Sequence, residues 1–263
     1  MPKLEREIIK RRFSNAASTY NSHARIHRSI AHYLIAHTIF PPTKKMILEI
    51  ASGTGILSSM LDPWYPQEQV LCIDISIEML LKNREKRQSG VYIQADFESL
   101  PFTTPFPLIL SSTALQWVEH SDHIGEILSN NLDKDGTFAV AIVLDGTFSL
   151  LHKIKNQVLN SQGIYPENER SHALPSFDAV KKSITQTGLE LKRAERHTFI
   201  DSFKNSSEVF DSIRGLGISG APKNPLTKEQ FLILKNEYQK ACQEQSQKPY
   251  LEYQIGFFWG KNK

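Results

Sequence analysis

The chain has 263 residues, 40% of them hydrophobic and 22% charged, the profile of one large globular domain or of a domain with an elaborated cap. A net charge of +3 is too modest to mark a nucleic-acid binder, yet it suits docking to an acidic protein partner. Cys72 and Cys242 lack any CxxC spacing, no apolar run approaches the roughly 18 residues of a membrane span, and "MPKLEREIIKRRF" is no clear leader peptide, so a cytoplasmic, reducing setting without metal or membrane is expected.

Residues 4–12 read as the start of a charged amphipathic helix. Residues 22–39, "SHARIHRSIAHYLIAHTI", place Ile26, Ile30, Tyr33, Leu34 and Ile39 on one apolar stripe and predict a helix ended by Pro41 and Pro42. Strand and helix signals then alternate. "KMILEIA" is a strand, "GILSSMLDP" a short helix and "EQVLCIDI" a strand. "SIEMLLKNREKRQ" is a helix capped by Ser76 with Gly90 just beyond it. "GVYIQAD" and "FPLILSST" are strands, "HIGEILSNNLD" a helix, and "TFAVAIVL" a further strand. Near-continuous apolar strands separated by helices mean a mostly parallel sheet covered on both faces.

From Asp145 to Pro175 the pattern loosens. "SLLHKIKNQVLNSQG" is helical and "IYPENERSHALP" a loop. "SFDAVKKSITQTG" is a helix with Ser176 as cap, and "LELKRAERHTFIDSF" a strand with room for a bend. "SSEVFDSIRGLGISG" starts helical, "LTKEQFLILKNEYQKACQEQ" is a long helix starting near Thr227, and "YLEYQIGFFWG" closes the chain as a strand. One domain over 1–263 is expected, with N-terminal lid helices over 1–40 and cap insertions over 145–175 and 201–247.

In an open α/β sheet, ligands bind beyond the carboxyl ends of the strands. Glu49 with Gly53 and Gly55, then Asp74, Asp96, and Ser111 with Ser112 fall at such ends. Gly53 and Gly55 can take left-handed angles and admit a ligand close to the main chain. No Gly-Lys-Ser/Thr follows, so the turn is not a phosphate loop. Asp74, 19 residues beyond Gly55, can accept both hydroxyls of a ribose, although it also fits a helix-start cap. Asp96 can accept an exocyclic adenine amine, with Phe97 and Ile75 lining the base. Their order suggests an adenosine ligand, either a nicotinamide dinucleotide or S-adenosylmethionine. "ASGTGILS" lacks the third glycine of GxGxxG, which disfavours the dinucleotide.

"LEIASGTG", "CIDISIEML", "ADFESLPF" and "LILSSTALQW" resemble successive motifs of class I S-adenosylmethionine-dependent methyltransferases. The chain is similar in particular to the malonyl-acyl-carrier-protein O-methyltransferases of biotin synthesis. That closer resemblance rests on "RRFSNAASTYNSHARIH", "ALQWVEH", "SIRGLGISG" and "PYLEYQIGFFWG". It implies a Rossmann-like α/β fold, a mostly parallel seven-stranded sheet with flanking helices and an added helical cap. It implies S-adenosylmethionine as cofactor and methyl transfer to the free carboxylate of a malonyl thioester on acyl carrier protein. The alternative is another small-molecule carboxylate, hydroxyl or quinone as acceptor.

The resemblance also distributes roles. Glu49 would lie near the amino-acid group of the cofactor, with Ala51, Gly53 and Gly55 presenting backbone to its methionine portion. Asp74 would hold the ribose, Ile75 and Met79 would face adenine, and Asp96 would bind its amine beside Phe97. Ser112 would lie by the methionine portion, Gln116 and Trp117 would shape the inner pocket, Tyr20 would be a lid residue, and Arg214 would orient the malonyl carboxylate. Two departures stand out: Ala51 replaces the first glycine of D/E-x-G-x-G-x-G, and His27 stands where relatives commonly have glutamine. An alanine there costs about 1 kcal/mol or more if its φ is positive. His120 and His123 read as structural or surface residues. Lys192, Arg193 and Arg196, or Lys181 and Lys182, are candidate contacts for an acidic carrier protein.

Overall fold

The computed structural model describes residues 3–164, 173–218 and 226–263. Most of the loop expected over 164–175, together with Ser219 and Gly220 of "SIRGLGISG", lies outside the described residues. Three helices open the chain: α1 (Lys3–Ala16), α2 (Tyr20–His23) and α3 (Arg25–Ala36). Strands β1 (Ile47–Ile50), β2 (Val70–Asp74), β3 (Val91–Gln94), β4 (Phe106–Ser112) and β5 (Leu132–Val143) follow, with α4 (Ile77–Arg84) after β2 and α5 (His123–Asn131) before β5. The rest comprises α6 (Ser149–Ser161), α7 (Phe177–Gln186), β6 (Glu190–Ser202), α8 (Ser206–Gly215), α9 (Lys228–Glu244) and β7 (Tyr250–Lys261).

The seven strands form one sheet in the order β3-β2-β1-β4-β5-β7-β6. The first five run parallel, and β7 pairs antiparallel with both β5 and β6. β1 is buried at all four positions and sits between β2 and β4, where the strand order reverses. One sheet face packs Cys72, Leu110 and Ala139 against Ile30 and Leu34 of α3, Ile154 and Val158 of α6, Val209 of α8, and Leu234 and Tyr238 of α9. The other packs Leu48, Ile50 and Val140 against Ile124 and Leu128 of α5 and Val180 and Ile184 of α7. The loosely patterned helices α6, α8 and α9 pack on one another and join the same hydrophobic core as α3.

The caps follow the sequence. Ser76 Oγ accepts from Met79 N at 3.2 Å and Ser176 Oγ from Ala179 N at 3.1 Å. Thr227 and Gln230 form a reciprocal capping box at the start of α9. The helix expected over 22–39 is broken at Ala24, and Ile39 is not on its buried stripe but 84% exposed beyond the helix end. "GILSSMLDP" forms turns and one 3-10 turn, Ser58–Met60, rather than an α-helix. Positive φ at Ala51, Gly53 and Gly55 consumes the residues that would start the helix, and Pro63 follows too soon for a second turn. β5 starts at Leu132 rather than at Thr137, because Leu132 pairs with Phe106 across a register shift. Among the described residues no helix is long and apolar enough to cross a membrane, and no cluster of His, Cys, Asp and Glu could hold a metal ion.

Candidate active site

The carboxyl ends of β1, β2 and β4 meet at the reversal of strand order, the place where open α/β sheets bind ligands. A cavity with about 790 Å³ of empty space, the open mouth included, lies there. Its floor comes from the strand ends: Glu49, Ala51, Ser52 and Gly53 after β1, Asp74 and Ile75 after β2, and Ser112 and Thr113 after β4. Met79 of α4, Phe97 and Trp117 add apolar walls, and the N-terminal helices close it with Ile9, Phe13, Tyr20 and His27.

The glycine turn explains its own composition. Gly53 has φ 54°, and a Cβ built there meets nothing within 4 Å, so its bare backbone faces open cavity. Gly55, at φ 80°, has a different task. A Cβ there would lie 2.1 Å from Asn83 Oδ1 of α4, so this glycine lets turn and helix touch, and it does not line the cavity. Ala51 adopts φ 50°, the left-handed region that costs a non-glycine residue about 1–2 kcal/mol. The departure from the glycine pattern is thus a strained residue, held where the backbone enters the site.

Two buried carboxylates face this space. Asp74 is 7% exposed and receives Gly53 N at 2.9 Å on Oδ2 and Ser76 N at 2.8 Å on Oδ1. The Ile75 N–H also reaches this carboxylate, and the acceptor capacity left over suits a ligand hydroxyl pair. Burial nevertheless pushes its pKa up to about 6 against those hydrogen bonds. Glu49 is 2% exposed, and burial pushes it up to about 7 despite hydrogen bonds from Ser58 and a weak one from Cys72 Sγ at 3.8 Å. Burial, and then Asp74, raise the Tyr20 hydroxyl. Burial, and then Arg28, lower His27 to about 4, so its imidazole is neutral at neutral pH. Among the described lining residues there is no lysine or arginine.

Helix α1 is fixed over the cavity by polar contacts at both its ends. Arg6 pairs with Asp96 and Glu98, Ser14 Oγ meets Ser76 Oγ at 3.0 Å, and the Phe13 ring stands edge-on to Trp117 with centroids 5.8 Å apart. Thr54 Oγ1 donates to Asn21 Oδ1 at 2.7 Å and ties the glycine turn to α2. Composition and spacing carried no signal for Arg6 or Asn83, whose partners are far away in the chain. Ile9 and Phe13 were legible only as apolar positions in a charged helix and as part of the N-terminal segment shared with the resembling family.

The structure brings together Tyr20, Glu49, Ala51, Gly53, Asp74, Ile75, Met79, Phe97 and Ser112, all at the cavity wall. It places four expected residues elsewhere. Asp96 lies behind Phe97, with Oδ2 engaged by Arg6 and Oδ1 accepting Glu98 N at 3.0 Å. Gln116 is buried under the turn after β4, donating to Thr113 O at 2.7 Å and accepting Val143 N at 3.4 Å, so it braces the cavity floor. Gly55 packs on α4, as described. Arg214 lies on the exposed face of α8 and pairs with Asp211 at 3.4 Å, because the buried face of that helix is Ser206, Val209, Ser212 and Gly215. Of the basic groups, Lys192 pairs with Glu190, Arg193 pairs with Glu195 over the Trp259 ring, and Arg196 donates to Gln254 Oε1. Lys181 and Lys182 are exposed on α7, with Lys181 Nζ 5.8 Å from the Phe177 ring centroid.

These residues fit a nucleoside that carries positive charge. Asp74 offers remaining acceptor capacity to a diol, and two costly buried carboxylates face a cavity whose described lining supplies no side-chain cation. S-adenosylmethionine, a ribonucleoside with a sulfonium and an ammonium group, meets both conditions.

Comparison with known proteins agrees. The family described as "Methyltransferase domain" matches residues 47–136. A malonyl-[acyl-carrier protein] O-methyltransferase of Anoxybacillus flavithermus is 24% identical over 92% of each chain. A malonyl-[acyl-carrier protein] O-methyltransferase 2 of Coxiella burnetii is 28% identical over 96% of this chain and 95% of its own. Haemonchus contortus phosphoethanolamine N-methyltransferase 2, solved with S-adenosyl-L-methionine, superposes with a TM-score of 0.57 at 13% identity, covering 95% of this chain and 57% of that one. Residues 47–136 thus match a methyltransferase domain, and the seven-stranded sheet has the fold of a solved methyltransferase that binds S-adenosyl-L-methionine.

Proposed function

We propose that the chain methylates the free carboxylate of a malonyl group carried as a thioester on acyl carrier protein, giving the methyl ester that enters the pimeloyl branch of biotin synthesis. The observation that carries this reading is the reach of the match. Two relatives bearing that activity in their names align over 92% and 96% of this chain, well beyond the 47–136 cofactor half.

When bound, S-adenosylmethionine supplies an electrophilic methyl on a positively charged sulfur, which keeps the bond's electron pair as the acceptor oxygen takes the methyl. Asp74 would hold the ribose hydroxyls and the backbone at Ala51–Gly53 would follow the methionine portion. Ile75, Met79 and Phe97 would pack on the base. Glu49 would face the cationic end. Tyr20, Ile9 and Phe13 would exclude water from the acceptor, whose oxygen is a better nucleophile when stripped of solvent. The acceptor is already a carboxylate at neutral pH, so no proton has to move and no general base is required. The chain's contribution is alignment and dryness.

Arg214 favours a second reading. It stands exposed and paired with Asp211, and the described lining of the cavity holds no side-chain cation for a carboxylate. A hydroxyl or a quinone is then the acceptor. Intact-protein mass spectrometry of malonyl-acyl carrier protein incubated with the enzyme and S-adenosylmethionine decides between them. A gain of one methyl, lost on ester hydrolysis, supports the malonyl reading. No gain from a preparation that binds S-adenosylhomocysteine sinks it.

A further inference from the structure

Two polar atoms beside the cavity are buried without any hydrogen-bond partner among the described residues: His27 Nδ1 and Tyr253 Oη. His27, from α3, is 6% exposed and lines the cavity. Tyr253, from β7, is 2% exposed and stands directly behind it, with ring centroids 5.9 Å apart and planes at 80°. Tyr20 flanks His27 on the other side, at 5.7 Å. A buried polar atom left unpaired costs folding free energy, so each of these two neighbours holds hydrogen-bonding capacity that the described residues do not use.

The surroundings suit a ligand. The Phe148 ring packs 4.8 Å from Tyr253, and Phe148 holds a left-handed φ of 58° at the start of α6, pinned by its N–H on Glu252 O at 2.8 Å. A bulky residue in that region is strained, and such strain collects where a ligand must be met. His27 at the cavity wall is thus backed by Tyr253 of β7, and Tyr253 in turn by Phe148 at the start of α6.

We propose that His27 and Tyr253 are the acceptor-binding pair of this enzyme: His27 Nδ1–H and Tyr253 Oη–H donate to oxygens of the malonyl group and set the reacting carboxylate against the cofactor. The assignment rests on the malonyl reading above. It replaces a cation by two neutral donors. Burial keeps His27 neutral and the Tyr253 hydroxyl protonated throughout the neutral range, so each gives a hydrogen bond without neutralising the nucleophile. A guanidinium clamp would orient the carboxylate but take up the lone pairs that must attack.

Tyr253→Phe removes one oxygen and keeps the ring. Three readouts on full-length protein are compared with the parent: methyl transfer to malonyl-acyl carrier protein, S-adenosylhomocysteine affinity by calorimetry, and thermal midpoint. The expected result is a fall in kcat/KM of about tenfold or more, unchanged cofactor affinity, and a midpoint no lower than the parent's, since the hydroxyl has no partner to lose. His27→Gln, which keeps a donor, is expected to retain more transfer than His27→Leu. Unchanged transfer by Tyr253→Phe overturns the assignment and leaves a bound water as the partner of both atoms. A lowered midpoint with proportionate loss of transfer also overturns it, because the hydroxyl is then structural. Parent enzyme that binds the cofactor yet leaves malonyl-acyl carrier protein unmethylated rejects the malonyl reading itself.

Discussion

The backbone N–H of Gly53 donates to Asp74 Oδ2 at 2.9 Å, joining the turn after β1 to the acid after β2. The contact has two consequences. It keeps the carboxylate aimed along the sheet's upper edge, and it uses only part of each oxygen's capacity, leaving acceptor directions for a diol. A left-handed φ at position 53 is what turns that N–H toward Asp74.

Asp74→Asn preserves shape and removes the charge. The amide cannot accept on both sides, so the ribose loses at least one charge-assisted hydrogen bond. We expect S-adenosylhomocysteine affinity to fall about 10- to 100-fold, read by calorimetry, with the fold intact by circular dichroism. Equal affinity in variant and parent rejects the ribose assignment.

Much of this site was legible before the fold. Strand ends carrying Glu49, Asp74 and Ser112 follow from apolar runs that stop at polar residues, and parallel topology then brings those ends together. Side-chain direction was not legible. Asp96 sits at the right strand end, but Arg6, 90 positions earlier, captures it. Arg214 sits in α8 as its pattern suggests, but next to Gly215 of the buried face and not on it. Gly55 looks like a partner of Gly53 in the sequence, yet only the approach of Asn83 shows that it serves packing. Local patterns specify elements and their order; pairings across long separations decide which side chains reach a cavity.

Ala51 is the departure whose cost can be measured. Its φ of 50° suits glycine. Ala51→Gly relieves strain of about 1–2 kcal/mol against a few tenths to 1 kcal/mol from the looser unfolded chain. The variant should be more stable by up to about 1 kcal/mol, read as a higher urea midpoint at constant m-value. A lower midpoint would mean that the methyl packs usefully at the cavity mouth.

Cofactor affinity should depend on pH through Glu49 and Asp74. Both pKa values are raised, to about 7 and about 6. The folded apo protein therefore holds protons there that the unfolded chain has lost, and its stability falls as pH rises through the window from about 4 to 7. A cationic ligand favours the ionised carboxylates, so binding acts in the opposite sense. Affinity should rise from pH 5 to 8 and then level, with protons released near pH 6.5. Calorimetry in two buffers of different ionisation enthalpy measures that release. Glu49→Gln should remove the upper part of the rise, and a flat pH profile in the parent would reject the claim that these acids face the ligand's charge.

The last prediction concerns how the lid opens. Arg6 pairs with Asp96 and Glu98 and lies 3.9 Å from Glu119, and the same helix carries Ile9 and Phe13 into the cavity wall. These ion pairs join α1 to the segments after β3 and β4, so they hold the lid down without touching the ligand. Arg6 is 25% exposed, which leaves the pairs open to screening by salt. Arg6→Ala should therefore speed cofactor release several-fold while changing global stability by less than about 1 kcal/mol. Raising salt from 0.05 to 0.5 M should speed release from the parent and leave the variant nearly unaffected. Stopped-flow fluorescence reads both effects through Trp117, which the Phe13 ring covers at 5.8 Å. Equal release rates in parent and variant at low salt would mean that apolar packing of Ile9 and Phe13 alone sets the opening rate, and that Arg6 only neutralises the two acids beneath it.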